Sequence, residues 1–444
     1  MNTGPSDNSN QPSRTRNAMQ GALKHRQSHR QRAHDQAHTE SDAGDSGSGH
    51  SDSGVTVVTT NQQMAACVER LRAAGLFAFD TEFIGELTYR PQLCLVQVAA
   101  GEHVELIDPL AGQLDLSPLW KLLADESVVK VVHAGEQDLQ HVWRFAGDSP
   151  RSIFDTQIAA GFVGLGASTS LAKLTLEITG RRIAKGFTLT DWSRRPLSNS
   201  QLRYAAEDVR SLCQIYRELS ARIKQVGHGQ WVGQECDLRC EQARANHDPG
   251  EAFHRVRGAS SQEPRQQAII KQLAAWREIA AQEADLPPRS LVRDEVLIEL
   301  SRRVPTSPDR LAAIKGMPHP VVEHHASEII RAISIGRSAP AVEPVASVEN
   351  DDNIPPSEKF RLEALWGVAQ CICAARGIDP TLVTNKKDFQ DFVYKHTRNL
   401  PTNDLAVTQG WRSELLGGPL IEWMKAGESL KLKWNAGDGR IVAG

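Results

Sequence analysis

This chain has few cysteines, a net charge close to zero and no long apolar runs, and each of these features argues against a class of protein. The 444 residues include only 7 cysteines, a low and odd number that argues against a disulfide-stabilised secreted scaffold and favours a reducing compartment. No apolar run approaches the roughly 20 residues that a membrane-spanning helix needs. The first residues lack the short hydrophobic core of a signal peptide. We therefore expect a soluble cytoplasmic protein with no membrane partner, and we take a monomer as the starting assumption.

The charge balance and several missing motifs narrow the function further. Lys and Arg number 51 against 54 Asp and Glu, a net charge of −3, whereas a protein that coats nucleic acid is usually strongly basic. Local basic grooves remain compatible with this balance. The sequence contains no glycine-rich phosphate loop with its Lys-Ser/Thr pair, so a nucleotide-driven motor is not supported. The Cys236/Cys240 and Cys371/Cys373 pairs lack a second pair at zinc-ribbon spacing, which argues against structural zinc.

Composition and periodicity divide the chain into six segments. Residues 1–54 are polar and almost free of aliphatic and aromatic side chains, which predicts a disordered tail. Over 55–222, strands come first and then alternate with helices, which is typical of a single α/β domain. We interpret 223–263 as a connector, 264–338 as an all-helical domain, 339–357 as a linker and 358–436 as a second, more diverged helical domain.

Serine residues mark where several helices should begin. Ser117 and Ser198 each precede an amphipathic segment and are expected to cap its first turn. From Ser198 the apolar periodicity continues without a break, so the pattern predicts one long helix over 198–223.

Two carboxylates lie inside a hydrophobic strand, in the segment FAFDTEF. Because alternate strand residues point to one face, Asp80 and Glu82 should project together. Neighbouring acids on a buried strand repel each other and are costly to desolvate, which indicates a functional role. The alternative is a strand end at which both side chains reach solvent.

Two further acidic positions occur in the same domain. Asp138 follows a strand and a glycine turn, in the first turn of a helix, where the helix dipole favours a carboxylate even without a metal. Tyr204 and Asp208 are four residues apart and should share one helix face; a half-buried tyrosine beside a surface acid is the alternative. Together with Asp80 and Glu82, these aspartates would form an oxygen-rich site that suits Mg²⁺ or Mn²⁺.

The order and spacing of DTEF, HAGEQDL and YAAEDV resemble the three exonuclease motifs of the DEDD superfamily. The tyrosine four residues before the last aspartate resembles its DEDDy branch. The segments TYRPQLCLVQV and TDWSRRPLSNSQLRYAAEDV are similar to the ribonuclease D family. LAAWREIAAQEADLPP and IKGMPHP resemble an HRDC domain, the module shared by ribonuclease D and RecQ helicases. The resemblance covers roughly residues 55–336, and 358–436 resembles a second HRDC domain with weaker motifs.

The resemblance implies a ribonuclease H-like α/β exonuclease domain, with a mixed sheet flanked by helices, followed by one or two all-α HRDC-type domains. It implies a 3′→5′ exoribonuclease that releases nucleoside 5′-monophosphates from RNA with a free 3′ end, in tRNA maturation and the processing of other small stable RNAs. Asp80, Glu82, Asp138 and Asp208 would hold two divalent ions, Mg²⁺ or Mn²⁺. Tyr204 would position or deprotonate the attacking water.

The resemblance also assigns less central positions and leaves alternatives open. Asp155 is expected to be structural, whereas Lys185, Asp191 and Trp192 are expected near the substrate cleft. A 3′→5′ DNA exonuclease on the same scaffold is one alternative, because sugar choice depends on contacts to the 2′-hydroxyl that motifs do not reveal. A catalytically silent nucleic-acid-binding protein is the other.

Overall fold

A computed structural model describes residues 55–85, 88–183, 190–245, 248–341, 354–426, 432–435 and 440–443. The predictions for the 1–54 tail and for Lys185 lie outside the described residues, as does most of the 339–357 linker. Within the described ranges, no helix has the length and apolar character required to cross a membrane.

The first domain is built on a six-stranded mixed sheet, as predicted. Its strands are β1 Val55–Val58, β2 Leu76–Ile84, β3 Gln92–Ala100, β4 His103–Ile107, β5 Val129–Val132 and β6 Ile153–Asp155. They lie in the order β1-β4-β3-β2-β5-β6. Strand β2 pairs antiparallel with β3 and parallel with β5, so the strand with the first two candidate acids lies inside the sheet.

Helices cover both faces of this sheet. They are α1 Asn61–Ala74, α2 Ser117–Leu123, α3 Glu136–Ala146, α4 Thr156–Gly161, α5 Leu171–Thr179, α6 Asn199–Arg210, α7 Leu212–Val226 and α8 Gly229–Ala245. Phe77 and Phe79 of β2 are buried in one hydrophobic cluster, and Ala78 is buried in the cluster on the other side. This alternation assigns Asp80 and Glu82 to the same face as Ala78.

Two local predictions for this domain are wrong. The helix expected over 198–223 is divided at Ser211, with α6 packed on β2, β3 and β4 and α7 packed on α4 and α5. Ser117 does not cap α2: the N-cap residue is Leu116, without a side-chain hydrogen bond, because the Ser117 hydroxyl donates to Asp115 Oδ1 at 2.6 Å. The cap at Ser198 is confirmed and forms a capping box.

The segment 223–263, which the sequence suggests to be a connector, is mostly helical. Helix α8 packs on α3, α4 and α7, and Val232 and Cys236 are buried in the first domain. A 3₁₀ helix, Pro249–Arg255, precedes the all-helical domain, whose helices are α9 Pro264–Ala284, α10 Pro288–Leu291, α11 Asp294–Arg303, α12 Pro308–Ala312 and α13 His319–Ser338. Helices α9 and α13 pack together, and the 3₁₀ helix packs on α9.

The C-terminal helices share the hydrophobic core of the first domain. They are α14 Pro356–Ala375, α15 Pro380–Val383, α16 Lys386–Thr397, α17 Gly410–Arg412 and α18 Gly418–Ala426, with a 3₁₀ helix at Ala406–Thr408, a π-helical turn at Ser413–Gly417 and a hairpin of β7 Leu432–Asn435 and β8 Arg440–Ala443. Leu362, Phe389 and Trp411 belong to the same buried cluster as Phe162 and Leu212. A truncation before residue 264 would therefore remove part of this core.

Trp411 joins the two regions through a buried polar contact. Its side chain is 1% exposed, and its ring meets that of Phe162 edge-on at 4.7 Å between centroids. Its Nε1 donates to Glu235 Oε2 at 3.1 Å. The guanidinium of Arg412 lies 2.7 Å from the same carboxylate. A fully buried carboxylate needs such partners to offset its desolvation, and the C-terminal region supplies them to Glu235 in addition to Arg239 of α8 itself, 3.2 Å away.

Trp411→Ala should destabilise the protein by about 3–5 kcal/mol, the usual cost of deleting a buried large aromatic side chain. It would open a cavity in the shared core and remove one hydrogen bond from Glu235. Urea unfolding followed by circular dichroism measures the change. Phe360→Ala is the control, because Phe360 is 75% exposed and should alter stability by no more than about 0.5 kcal/mol. Equal unfolding midpoints for the two variants would contradict the shared core.

Candidate active site

Three of the four predicted carboxylates meet at one place. Asp80 and Glu82 extend from β2 and Asp208 from α6, and one carboxylate oxygen of each lies within 4.8 Å of the others. The β2–β3 register shifts between Glu82 and Phe83, directly after the second acid. The period of the strand and the packing of α6 on β2 together produce this arrangement.

Asp138 lies outside that group of three, although it belongs to the same acidic environment. It is 8% exposed, in the first turn of α3. Its Oδ1 accepts hydrogen bonds from the Thr81 backbone N–H, at 3.1 Å, and from the Thr81 hydroxyl. The sequence does not identify Thr81 as part of the site, because strand alternation places its side chain on the opposite face of β2 from Asp80 and Glu82. Thr81 ties Asp138 to the strand that carries the other acids.

Tyr204 is held beside Asp208, as their spacing predicts. The Tyr204 hydroxyl forms a side-chain hydrogen bond with Asp208. Trp192, which is 4% exposed, lies 6.1 Å from the Tyr204 ring. Asp191 is instead paired with Arg194 at 3.1 Å and accepts from the Ser193 hydroxyl. Trp192 is thus adjacent to the candidate tyrosine, whereas Asp191 organises its own turn.

Burial and mutual repulsion raise the pKa of each carboxylate in this environment. The pKa of Asp80 lies well above its ordinary value, because the side chain is buried and faces Asp138, Asp208 and Glu82. Burial and the charges of Asp208 and Asp138 raise the pKa of Glu82 to about 8. Burial raises the pKa of Asp208 to about 7 and that of Asp138 to about 6. The same surroundings raise the pKa of Tyr204, so its hydroxyl keeps its proton at neutral pH.

This donor set fits a hard divalent cation. All of its candidate ligands are carboxylate oxygens, which Mg²⁺ and Mn²⁺ prefer. A cation would relieve the repulsion that raises the pKa of Asp80. The acidic cluster is therefore chemically suited to a metal.

Divalent cation should stabilise the protein more at high pH than at low pH. The carboxyl groups of Asp and Glu have pKa values of about 4 in an unfolded chain, whereas the pKa of Glu82 in the folded protein is about 8. Between these two pH values, the metal-free folded protein binds more protons than the unfolded chain. Its free energy of unfolding consequently falls as pH rises through this window. A bound cation competes with those protons and restores the stability that the protein loses as the pH rises.

Differential scanning fluorimetry with EDTA or Mn²⁺ at pH 5.5 and pH 8 tests this expectation. At a hundredfold excess over its Kd a cation stabilises by about 2.7 kcal/mol, which corresponds to a rise in Tm of several degrees. We expect that rise at pH 8 and a smaller one at pH 5.5. Equal shifts at the two pH values would contradict the assignment of the carboxylates as its ligands.

Asp155 has the structural position that the sequence suggests. Its carboxylate caps α4, accepting from the backbone N–H of Gln157 and of Ile158. It also accepts from the backbone N–H of Ala134 at 3.1 Å and of Gly135 at 3.0 Å. Ala134 has a positive φ of 55°, a conformation that costs energy for a residue with a Cβ. Asp155 thus fixes the turn that precedes Asp138.

Comparison with known proteins agrees with this geometry. Residues 55–224 match a family model described as 3′-5′ exonuclease, and residues 266–333 match the HRDC domain. The acidic cluster fits the metal dependence of that exonuclease family.

Relatives extend the match over most of the chain. The chain is 34% identical to ribonuclease D of Gluconacetobacter diazotrophicus over 389 residues, covering 87% of this chain and 94% of the relative. It is 32% identical to ribonuclease D of Sphingobium indicum over 391 residues, covering 87% and 97%. The crystal structure of Escherichia coli RNase D superposes on this chain with a TM-score of 0.71 at 30% sequence identity, covering 84% of this chain and 99% of the E. coli chain. That enzyme is described as an exoribonuclease involved in structured RNA processing. The chain therefore belongs to the ribonuclease D family of 3′-5′ exoribonucleases.

Proposed function

We propose that this exoribonuclease trims structured RNAs, including tRNA precursors, from a free 3′ end and releases nucleoside 5′-monophosphates one at a time. The observation that supports this proposal most directly is the meeting of Asp80, Glu82 and Asp208 within 4.8 Å, with Tyr204 bonded to Asp208. The description of the Escherichia coli relative as acting in structured RNA processing supports the choice of substrate.

Asp80, Glu82, Asp138 and Asp208 would hold two divalent ions, Mg²⁺ or Mn²⁺. When bound, such ions lower the pKa of a water molecule and stabilise negative charge on the leaving 3′-oxygen. The protein contributes the negative charge that retains them. It also contributes the hydrogen bonds from Thr81 to Asp138, which keep that carboxylate oriented.

Tyr204 would position the attacking water rather than deprotonate it. Its raised pKa keeps the phenol protonated, and its hydrogen bond with Asp208 lowers the pKa of that carboxylate, as expected if the phenol is the donor. The lone pairs of the phenol oxygen are then available to accept a hydrogen bond from water. Trp192, 6.1 Å away, limits the room available to the tyrosine ring.

The HRDC domain would increase the affinity for RNA modestly. Three cations of the HRDC domain are candidates for phosphate contact: Arg302, Arg303 and Lys315. Arg302 donates to Gln262 Oε1 at 2.8 Å, and Arg303 is paired with Glu299. Lys315 is exposed in the turn between α12 and α13. We therefore propose Lys315 as the phosphate-binding residue of the three. Such binding should weaken with salt, because phosphate contacts release counterions.

The first experiment compares an RNA oligomer with its DNA twin, each labelled at the 5′ end, in the presence of Mn²⁺. A ladder that shortens from the 3′ end of the RNA, with mononucleotides as the product, is expected. A ladder on DNA alone would favour the DNA exonuclease alternative. Intact substrates of both kinds would favour a silent binding protein and overturn the proposal. A tRNA with extra 3′ nucleotides then tests the substrate class.

A further inference from the structure

A row of aromatic side chains leads away from the acidic cluster along α3. The Phe83 ring, directly after Glu82, meets the His141 ring edge-on at 4.1 Å between centroids. His141 lies 6.5 Å from Phe145. Phe145 in turn lies 6.2 Å from Trp120 of α2, and these two rings are within 13° of parallel. We call these four residues the aromatic row.

The aromatic row begins next to the acidic cluster. Asp138, His141 and Phe145 occupy positions i, i+3 and i+7 of α3, so they share one helix face. Seven residues of α-helix rise by about 10 Å, which places Phe145 two turns beyond Asp138. A single strand whose 3′ end enters the acidic cluster could therefore bring a nucleotide a few positions upstream to Phe145.

The far end of the row is accessible and has a cation next to each ring in the sequence. Phe145 is 40% exposed, although the inner member, His141, is 8% exposed. Lys121 follows Trp120 and Arg144 precedes Phe145 in the sequence, and the exposed Asp148 lies three residues beyond Phe145. An exposed aromatic ring beside cations is the combination that binds single-stranded nucleic acid, with bases on rings and phosphates near charge.

The row also reaches the HRDC domain. Arg144, the neighbour of Phe145, donates to the Tyr89 backbone carbonyl at 2.9 Å and lies 5.1 Å from the Tyr89 ring centroid. The Tyr89 hydroxyl donates to Glu278 Oε1 of α9 at 2.8 Å. Arg255 lies 3.2 Å from the same carboxylate. The row therefore occupies the surface between the acidic cluster and the domain that would hold the rest of a structured RNA.

We propose that Phe145, backed by the nearly parallel ring of Trp120, is a stacking subsite for one nucleobase of single-stranded RNA, a few nucleotides upstream of the scissile phosphate. The subsite rests on the proposed function of the acidic cluster. It would accept any of the four bases, because each presents a π-face. It would select single-stranded RNA, because a paired base cannot leave its duplex to stack on a protein ring without unpairing.

A series of RNA oligomers with one abasic nucleotide at successive positions from the 3′ end tests the subsite. In the wild-type protein, one internal abasic position should lower kcat/KM about fivefold or more, the scale of losing one base–aromatic stack. Phe145→Leu keeps an apolar side chain but removes the ring, so the penalty at that position should disappear. Phe145→Tyr keeps the ring and should retain the penalty. Val226→Ala, at a side chain that is 49% exposed, is the control and should behave as wild type.

The outcomes separate this subsite from the proposed function. A wild-type protein that hydrolyses none of the RNAs would contradict the function. Hydrolysis with no position-specific abasic penalty would overturn the subsite and leave the function standing. An unchanged penalty in Phe145→Leu would place the base elsewhere. A uniform loss of activity of Phe145→Leu on every oligomer, with a lowered Tm and the abasic penalty kept, would show that the ring serves only the fold and would overturn the subsite.

Discussion

Asp80→Asn should abolish RNA hydrolysis while the protein stays folded and still binds RNA. Asp80 is the carboxylate that faces all three of the others, so its loss removes the charge most central to cation binding. The side chain keeps its size, and the neighbouring acids lose one source of repulsion. The metal-free variant should therefore melt at or above the wild-type temperature, and added Mn²⁺ should raise its Tm less.

Release of labelled mononucleotides over time measures the hydrolysis, and fluorescence anisotropy with a labelled RNA measures the binding. Asp237→Asn is the matched control: Asp237 is exposed on α8 and should keep wild-type turnover. Wild-type turnover in Asp80→Asn would refute the role of the acidic cluster. A variant that neither hydrolyses RNA nor melts cooperatively would point to a structural role for Asp80.

Tyr204→Phe should lower kcat by about 10²-fold, the scale of misplacing a reacting group. The substitution removes only the hydroxyl bonded to Asp208. The ring beside Trp192 remains, so KM should change little.

Single-turnover rates on a short RNA oligomer, measured from pH 6 to pH 9, test this expectation. Tyr216→Phe is the matched control. Tyr216 is a half-buried tyrosine of α7 whose ring meets Phe154 edge-on at 4.8 Å. It should keep wild-type rates. A Tyr204→Phe enzyme within a few-fold of wild type would assign the positioning of the water to another group.

The parts of the site that local geometry controls could be predicted from the sequence. Strand alternation is enough to place Asp80 and Glu82 on one face, and helix spacing is enough to place Tyr204 beside Asp208. The position of Asp138 is different, because it depends on a hydrogen bond to Thr81, 57 residues away. No periodicity encodes that partner. The group of three oxygens and the separate fourth acid could therefore be distinguished only in three dimensions.

The same distinction explains the errors in the fold. The spacing of apolar residues shows that a segment is amphipathic, but it does not show which part of the protein the segment packs against. It therefore does not predict that the helix is divided at Ser211 into two helices with different packing partners. The polar appearance of 223–263 hides α8, whose charged Glu235 is buried against Trp411 and Arg412 as well as Arg239 of its own helix. Residues so far apart in sequence become neighbours only through tertiary packing, which one-dimensional patterns do not represent.

The burial of Trp411 against Glu235 and Phe162 has a consequence for how the enzyme is made. A ribosome releases the strands and helices around Asp80 and Asp208 long before it reaches residue 411, yet their core lacks its last large side chains until then. Domains usually fold in the order of their synthesis, but part of the core of the first domain is supplied only when residue 411 has been made. A nascent or prematurely terminated chain would hold its acidic residues in an incomplete scaffold. The enzyme should therefore gain its full stability only after residue 411 has left the ribosome.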